Sequence, residues 1–389
     1  MQRLPTFNRS FTEIIAEPSV SSVDPAFDQS NRGVVNLLAG WLESAGFTVE
    51  LMPVHDKPEK LNLIACAGRG EGGLVLSGHT DTVPFDPARW NQDPFRLTQR
   101  DNRYYGLGTS DMKSFFPIVL EVLKQIDIRN LRQPLYILAT CDEESNMSGA
   151  RALVESQRAL GRSALIGEPT GLRPIARHKG IMQESITLVG QAGHASDPSL
   201  GNNALEGMHT VITHLMQWRR ELQQQYRDAA FRIPGPTLNF GSIHGGDNPN
   251  RICGSCEMKI DLRPLPGMDL ESIRRELYAR VEQAVAGSGL EPVFNSLING
   301  LPGMETAADA EIVRLAERLA GEPAGTVAFG TEGPYFNSMG MATVILGPGD
   351  IDQAHQANEY LAMDRIEPMV QIVRHMIENL CIQDSENVG

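Results

Sequence analysis

Apolar and polar positions along the chain change character after Gly180 and again after Asn299. From Asn31 to Ala45 the apolar residues follow a helical period, which predicts an amphipathic helix. Leu61 to Ala67 and Gly73 to Leu76 are short apolar runs and predict strands. Met112 to Ile126 predicts a second helix, with further strands over Leu135 to Thr140 and Ala164 to Ile166. Strand and helix alternating in this way predict an α/β unit, its sheet mixed but largely parallel and flanked by helices.

Beyond Gly180, Ile181 to Val189 alternates like a half-exposed strand and Ala204 to Tyr226 predicts a long helix. Thr237 to Ile243 and Ile252 to Leu262 alternate again, followed by a helix over Leu270 to Ala286 and a strand over Glu291 to Ser296. Strand-helix-strand-strand-helix-strand is the ferredoxin-like order, so an α+β domain is expected as an insert over residues 181–298. Helix and strand then resume with Ala308 to Leu319, Ala342 to Leu346 and Ile366 to Leu380. Residues 1–180 and 299–389 are therefore expected to make one domain.

Composition narrows the function classes. At 389 residues and 41% apolar content the chain can bury an extensive core. A net charge of −14 offers no basic face to nucleic acid or to an anionic membrane, so neither partner is expected. Met1 to Ser10 lacks an apolar segment of signal-peptide length, and no stretch approaches a membrane span. Five scattered cysteines suit reduced thiols, and the cytoplasm is the expected compartment. Cys253 and Cys256 have C-x-x-C spacing without a second pair, and their strand-like setting reads as structural.

Candidate chemistry follows the apolar strands. Ser77-Gly78-His79-Thr80-Asp81, Cys141-Asp142-Glu143-Glu144 and Gly167-Glu168-Pro169-Thr170 each trail a predicted strand, and Ala354-His355-Gln356 lies in the loop after Val344 to Leu346. Ligands of open α/β sheets bind beyond the carboxyl ends of the strands, so these segments should converge. His79 could bind a metal while Asp81 fixes its tautomer, or could be an ordinary loop histidine beside a solvated acid. Asp111 could cap the helix that follows it or offer its carboxylate to a site. Asp142-Glu143-Glu144 could be a solvated acidic loop, or could divide metal binding and proton abstraction between neighbours. Together His79, Asp111, Glu144, Glu168 and His355 form a nitrogen and carboxylate set suited to zinc, cobalt or manganese, with no thiolate among them.

The segments SGHTDTVP, GLGTSDMKS, DEES, GEPT, GHAS and AHQANEY occur in the order found in a known family. Over almost its whole length the chain resembles the dinuclear zinc metallohydrolases with a zinc-exopeptidase-like catalytic domain. That family includes acetylornithine deacetylase, succinyl-diaminopimelate desuccinylase, aminoacylases and carboxypeptidases. The resemblance implies two divalent ions per subunit, zinc first and cobalt or manganese as alternatives. His79, Asp111 and Glu168 would hold one ion and Asp111, Glu144 and His355 the other, with Asp111 as the bridge. It further implies Asp81 as the partner of His79 and Glu143 as the general base that activates water for attack on an amide.

The same resemblance gives the inserted domain the role of a lid and dimerisation domain, and implies a homodimer. His194, in GHAS, would reach the active site of a partner subunit and stabilise the oxyanion. Asn250, Arg263 and Thr331 match positions used around a substrate carboxylate, and an arginine suits a bidentate grip on that group. HGGDNPNRICGSCEMKIDLRPLPGM and GTEGPYFNSMG through ILGPGDIDQAHQANEYL look most like the acetylornithine deacetylase branch. That branch implies a small N-acylated amino acid as substrate, N2-acetyl-L-ornithine, released as L-ornithine and acetate. The alternatives are another amidohydrolase of the family or a non-catalytic ligand-binding homologue. Leu107 stands where many relatives carry arginine, a departure that changes no ligand.

Overall fold

Parallel pairing joins Leu135–Thr140, Leu74–His79, Ser163–Ile166 and Ala342–Ile345, in that spatial order, in the computed structural model, which describes residues 4–54 and 57–382. Every residue of Leu74–His79 and Ser163–Ile166 is buried, as expected where both faces of a parallel sheet are covered. Lys57–Ala67 and then Thr48–Val54 extend one side antiparallel, and Ile175–His178 joins the other side antiparallel at Ile345↔Ile175. The result is the mixed, largely parallel sheet flanked by helices that the pattern predicts.

Register aligns the carboxyl ends. His79 pairs with Thr140, Ser77 with Ile166 and Ile166 with Ile345, so the segments that follow these strands leave the sheet from one edge. Helix Phe115–Leu123 is buried at every residue but Glu121 and packs against helix Ile366–Ile377 within the core. It begins three residues later than the predicted Met112, because residues 107–114 form turns. Asp111 therefore lies ahead of the helix, whose N-cap position belongs to Ser114.

The chain divides into two units. One comprises Met1–Ala176, Thr306–Gly325 and Thr331–Gly389, and the other Arg177–Glu305 and Thr326–Gly330, against an expected insert of 181–298. The second unit has an antiparallel sheet in the order Thr237–Gly245, Ser255–Arg263, Met182–Val189, Glu291–Ser296. With helices Ala204–Gln225 and Leu270–Ala284 between its strands, that order is the ferredoxin-like topology. Its core is built on Trp218, Leu215, Leu262 and Leu277 and includes the thiols of Cys253 and Cys256. Among the described residues, no helix is long and apolar enough to cross a membrane.

Candidate metal centre

His79 is the last residue of its strand and is 1% exposed. Its Nδ1–H donates to the main-chain oxygen of Asp81 at 3.0 Å, which leaves the lone pair of Nε2 available to a ligand. That Nε2 lies 3.1 Å from Asp111 Oδ1 and 3.7 Å from Glu168 Oε1. The expected contact of His79 with the Asp81 carboxylate is the longer one, at 3.7 Å. Asp81 Oδ2 instead accepts the Glu144 N–H at 3.1 Å, so this buried acid steadies two candidate ligands by different atoms.

Asp111 presents its second oxygen elsewhere. Oδ2 lies 3.4 Å from His355 Nε2, and the same nitrogen is 3.0 Å from Glu144 Oε2. His355 has a left-handed backbone, φ 59°, a conformation uncommon for a non-glycine residue though less so for histidine. Glu168 follows Gly167, where a Cβ would come within 2.3 Å of the Phe115 ring; only glycine lets the backbone pass there. The Thr170 N–H donates to Glu168 O at 2.8 Å and closes the predicted turn.

Two triples, His79-Glu143-Glu168 and His79-Asp111-Glu144, have ligand atoms within 4.8 Å of one another. The sequence-derived residues His79, Asp111, Glu143, Glu144, Glu168 and His355 thus meet at one place, with Asp81 beneath them. Burial, then the neighbouring acids, push the Glu143 and Glu168 carboxyls up. Burial opposes ionisation of Asp111 as well, but hydrogen bonds from His355 and His79 hold it below the usual range. The same pairing with Asp111 and Glu144 raises His355 to about 10. Acids crowded around imidazole nitrogens at these spacings fit divalent cations, which would neutralise the carboxylates and use the same lone pairs.

The pattern of Peptidase family M20/M25/M40 matches residues 75–379. The chain belongs to this family. It is 46% identical to the acetylornithine deacetylase of Pasteurella multocida (strain Pm70) over 381 residues, 98% of this chain and 100% of the relative. An M20 family metallo-carboxypeptidase from Sulfolobus solfataricus shares the fold with a TM-score of 0.75 at 17% identity, covering 96% of this chain and 99% of that one. A dinuclear metal binding peptidase of the M20 family from Bacillus subtilis gives a TM-score of 0.66 at 15% identity, over 95% of this chain and 97% of that one.

Several M20 site neighbours escape a reading of the sequence alone. Asp142 has φ 58° and turns away from the acids that follow it. Its Oδ1 pairs with Lys60 Nζ at 2.7 Å and accepts the Ser21 hydroxyl at 2.9 Å, while Oδ2 accepts the Ser148 hydroxyl at 2.7 Å. Lys60, 2% exposed, is the first buried residue of strand Lys57–Ala67 and follows the exposed Pro58 and Glu59, so the sequence pattern did not set it apart from a solvated strand end. Glu332 Oε2 accepts the Thr140 hydroxyl at 2.9 Å, and burial pushes its carboxyl up to about 7. Glu359 accepts hydrogen bonds from the turn that carries Asp111.

The remaining candidates have other surroundings. Thr331 belongs to the same unit as the acids, is fully buried, and accepts the Gly333 N–H at 3.1 Å. His194, Asn250 and Arg263 belong to the second unit. Arg263 is engaged by Asp261, Nε to Oδ1 at 2.8 Å and Nη2 to Oδ2 at 3.1 Å. Exposed Asn250 accepts the Ala195 N–H with its main-chain oxygen at 3.0 Å. The Ser196 N–H donates to His194 Nδ1 at 3.2 Å, which puts the proton of a neutral imidazole on Nε2.

Proposed function

We infer that this chain is a metal-dependent amidohydrolase that converts N2-acetyl-L-ornithine to L-ornithine and acetate, a step of arginine biosynthesis. The observation that carries the substrate is the 46% identity to an acetylornithine deacetylase across 98% of this chain and all of the relative. The geometry supports the reaction type, because a single carboxylate, Asp111, faces His79 with one oxygen and His355 with the other.

His79, Asp111 and Glu168 would hold one divalent ion, and Asp111, Glu144 and His355 the other, zinc first by the family resemblance, with cobalt or manganese as alternatives that the same nitrogen and oxygen donors suit. Bound there, the ions supply Lewis-acid polarisation of the amide carbonyl and lower the pKa of water. Glu143 takes a proton from the attacking water and returns it to the departing α-amine. Asp81 holds His79 and the Glu144 backbone in place. The Nε2–H of His194 donates to the developing oxyanion, across a homodimer in which the second unit serves as lid. Asn250, Arg263 and Thr331 secure the substrate carboxylate, and the cytoplasm supplies the reducing compartment.

The test is a panel of N-acetylornithine, N-succinyl-diaminopimelate, N-acetylmethionine and a dipeptide on purified protein, before and after chelation and zinc or cobalt addition. Preferred, metal-restored turnover of N-acetylornithine is expected. Preference for another member reassigns the substrate within the family, and turnover indifferent to chelation overturns the reaction type. A protein that binds these amides without cleaving any is a non-catalytic homologue.

A further inference from the structure

The turn that carries Asp111 and the loop that carries His355 are fastened together by a carboxylate that belongs to neither proposed ligand set. Glu359 is 2% exposed. Its Oε2 accepts the Gly108 N–H at 2.8 Å, and its Oε1 accepts the N–H groups of Ser110 at 2.6 Å and Asp111 at 2.9 Å. Backbone pairing delivers it there. Strand Tyr360–Ala362 lies antiparallel to Arg103–Tyr105 with Tyr360 opposite Tyr105, and the Gly106 N–H continues that ladder to Glu359 O at 3.1 Å.

The other end of the loop is tied to the same turn. Ser110 Oγ donates to Asp350 O at 3.0 Å and accepts the Asp350 N–H at 2.8 Å. Residues 350 and 359 bracket His355, so both ends of its loop rest on residues 108–111. Gly108, at φ +85°, lets the turn direct its N–H groups at one point, where they converge on an anion. Burial pushes the Glu359 carboxyl up, and the N–H donors of Gly108, Asp111 and Ser110 draw it back toward the anion.

We propose that Glu359 is a positioning residue that locks the Asp111 turn to the His355 loop, so that the Asp111 oxygens stay aimed at the two histidines before any cation arrives. The proposal rests on the metal-centre reading above. It makes a chemical distinction between substitutions. A carboxamide at 359 can still accept from Ser110 and Asp111, but its amino group meets the Gly108 N–H donor to donor. An alanine leaves all of these N–H groups without their acceptor.

The experiment is titration of the metal-free, full-length chain with cobalt(II), followed by visible absorption, for the wild type, Glu359→Gln and Glu359→Ala. Partners of metal ligands typically contribute roughly 10- to 100-fold in affinity. Cobalt should bind more weakly by about 10-fold in Glu359→Gln and by about 100-fold in Glu359→Ala. An altered cobalt spectrum and a lower kcat at saturating cobalt should accompany this, with KM little changed. A wild type that takes up no cobalt overturns the metal reading itself. A wild type that binds two ions while both variants match its affinity and spectrum overturns only the role of Glu359. Amide exchange in the metal-free wild type decides the matter should the variants not fold. The N–H groups of residues 108, 110 and 111 should be protected, and exchange at open-loop rates overturns the proposal.

Discussion

Asp142 and Glu143 are consecutive acids that face opposite ways. The left-handed backbone of Asp142 turns its carboxylate onto Lys60, whereas Glu143 lies with His79 and Glu168. One residue anchors the turn and the next lies among the candidate metal ligands. Glu143→Ala should lower kcat by about 10²- to 10⁴-fold, the usual range for a general base. Metal content, read by elemental analysis, should stay at two ions per chain. Unchanged turnover would reject the assigned base.

The anchor itself should be visible in stability. Lys60 is 2% exposed, and its Nζ lies 2.7 Å from both Asp142 Oδ1 and Asp28 Oδ1. Lys60→Met leaves Asp142, which is fully buried, without its main cation, and removal of one partner of a buried pair costs about 3–5 kcal/mol. Urea denaturation measures that loss. The double variant Lys60→Met/Asp142→Asn should recover part of it, because the buried charge, left with only the half-exposed Lys57 Nζ at 3.3 Å from Oδ2, has gone. A single variant within about 1 kcal/mol of wild type would show the pair to be no stronger than a surface bridge.

A pH effect should arise from a histidine of the second unit. His178 is fully buried, and burial lowers its pKa to about 4, with its ring contact to the Lys179 main-chain oxygen opposing the shift. The folded value lies below the unfolded value of about 6.5, so the neutral ring favours folding. That stability is complete above about pH 6.5 and is lost as the pH falls through 4. Between pH 7.5 and 4.5 the wild type should lose about 2.5 kcal/mol more than His178→Gln, measured by denaturant unfolding. Parallel curves for the two proteins would exclude the histidine as the source.

Legibility in the sequence tracked burial pattern and element length. Leu135–Thr140 and Glu291–Ser296 have the bounds their patterns predict. Thr48–Val54 is an edge strand of mostly exposed or half-exposed residues with Pro53 near its end, so it carries no clear alternation. Helix Phe7–Ala16 buries Ser10, Phe11, Ile14 and Ile15 on one face, a helical period that the polar residues around it make faint. Thr98–Arg100, Arg103–Tyr105 and Tyr360–Ala362 are too short to show a period, yet their register delivers Glu359. His79, Asp111, Glu144, Glu168 and His355 were legible as a group because most of these nitrogen and carboxylate donors trail the predicted strands, and the structure brings them together. Glu359 and Lys60 act through backbone N–H groups and a buried ion pair, which depend on contacts between distant segments.

The proposed reach of His194 into a partner's site can be separated from action within its own subunit. His194→Ala should lower kcat by about 10²- to 10³-fold with metal content unchanged, as for loss of one oxyanion donor. Glu143→Ala carries the complementary defect. Mixed after dissociation and reassembly, the two variants form heterodimers in which one site combines an intact Glu143 with the partner's intact His194. If the histidine acts in trans, half of the dimers should then have one working site, and activity should return to about one quarter of wild type. If it acts within its own subunit, every site keeps one defect and activity stays at the level of the separate variants. The Ser196 N–H on Nδ1, which sets the Nε2–H tautomer, is compatible with either route, so the mixing measurement is the one that distinguishes them.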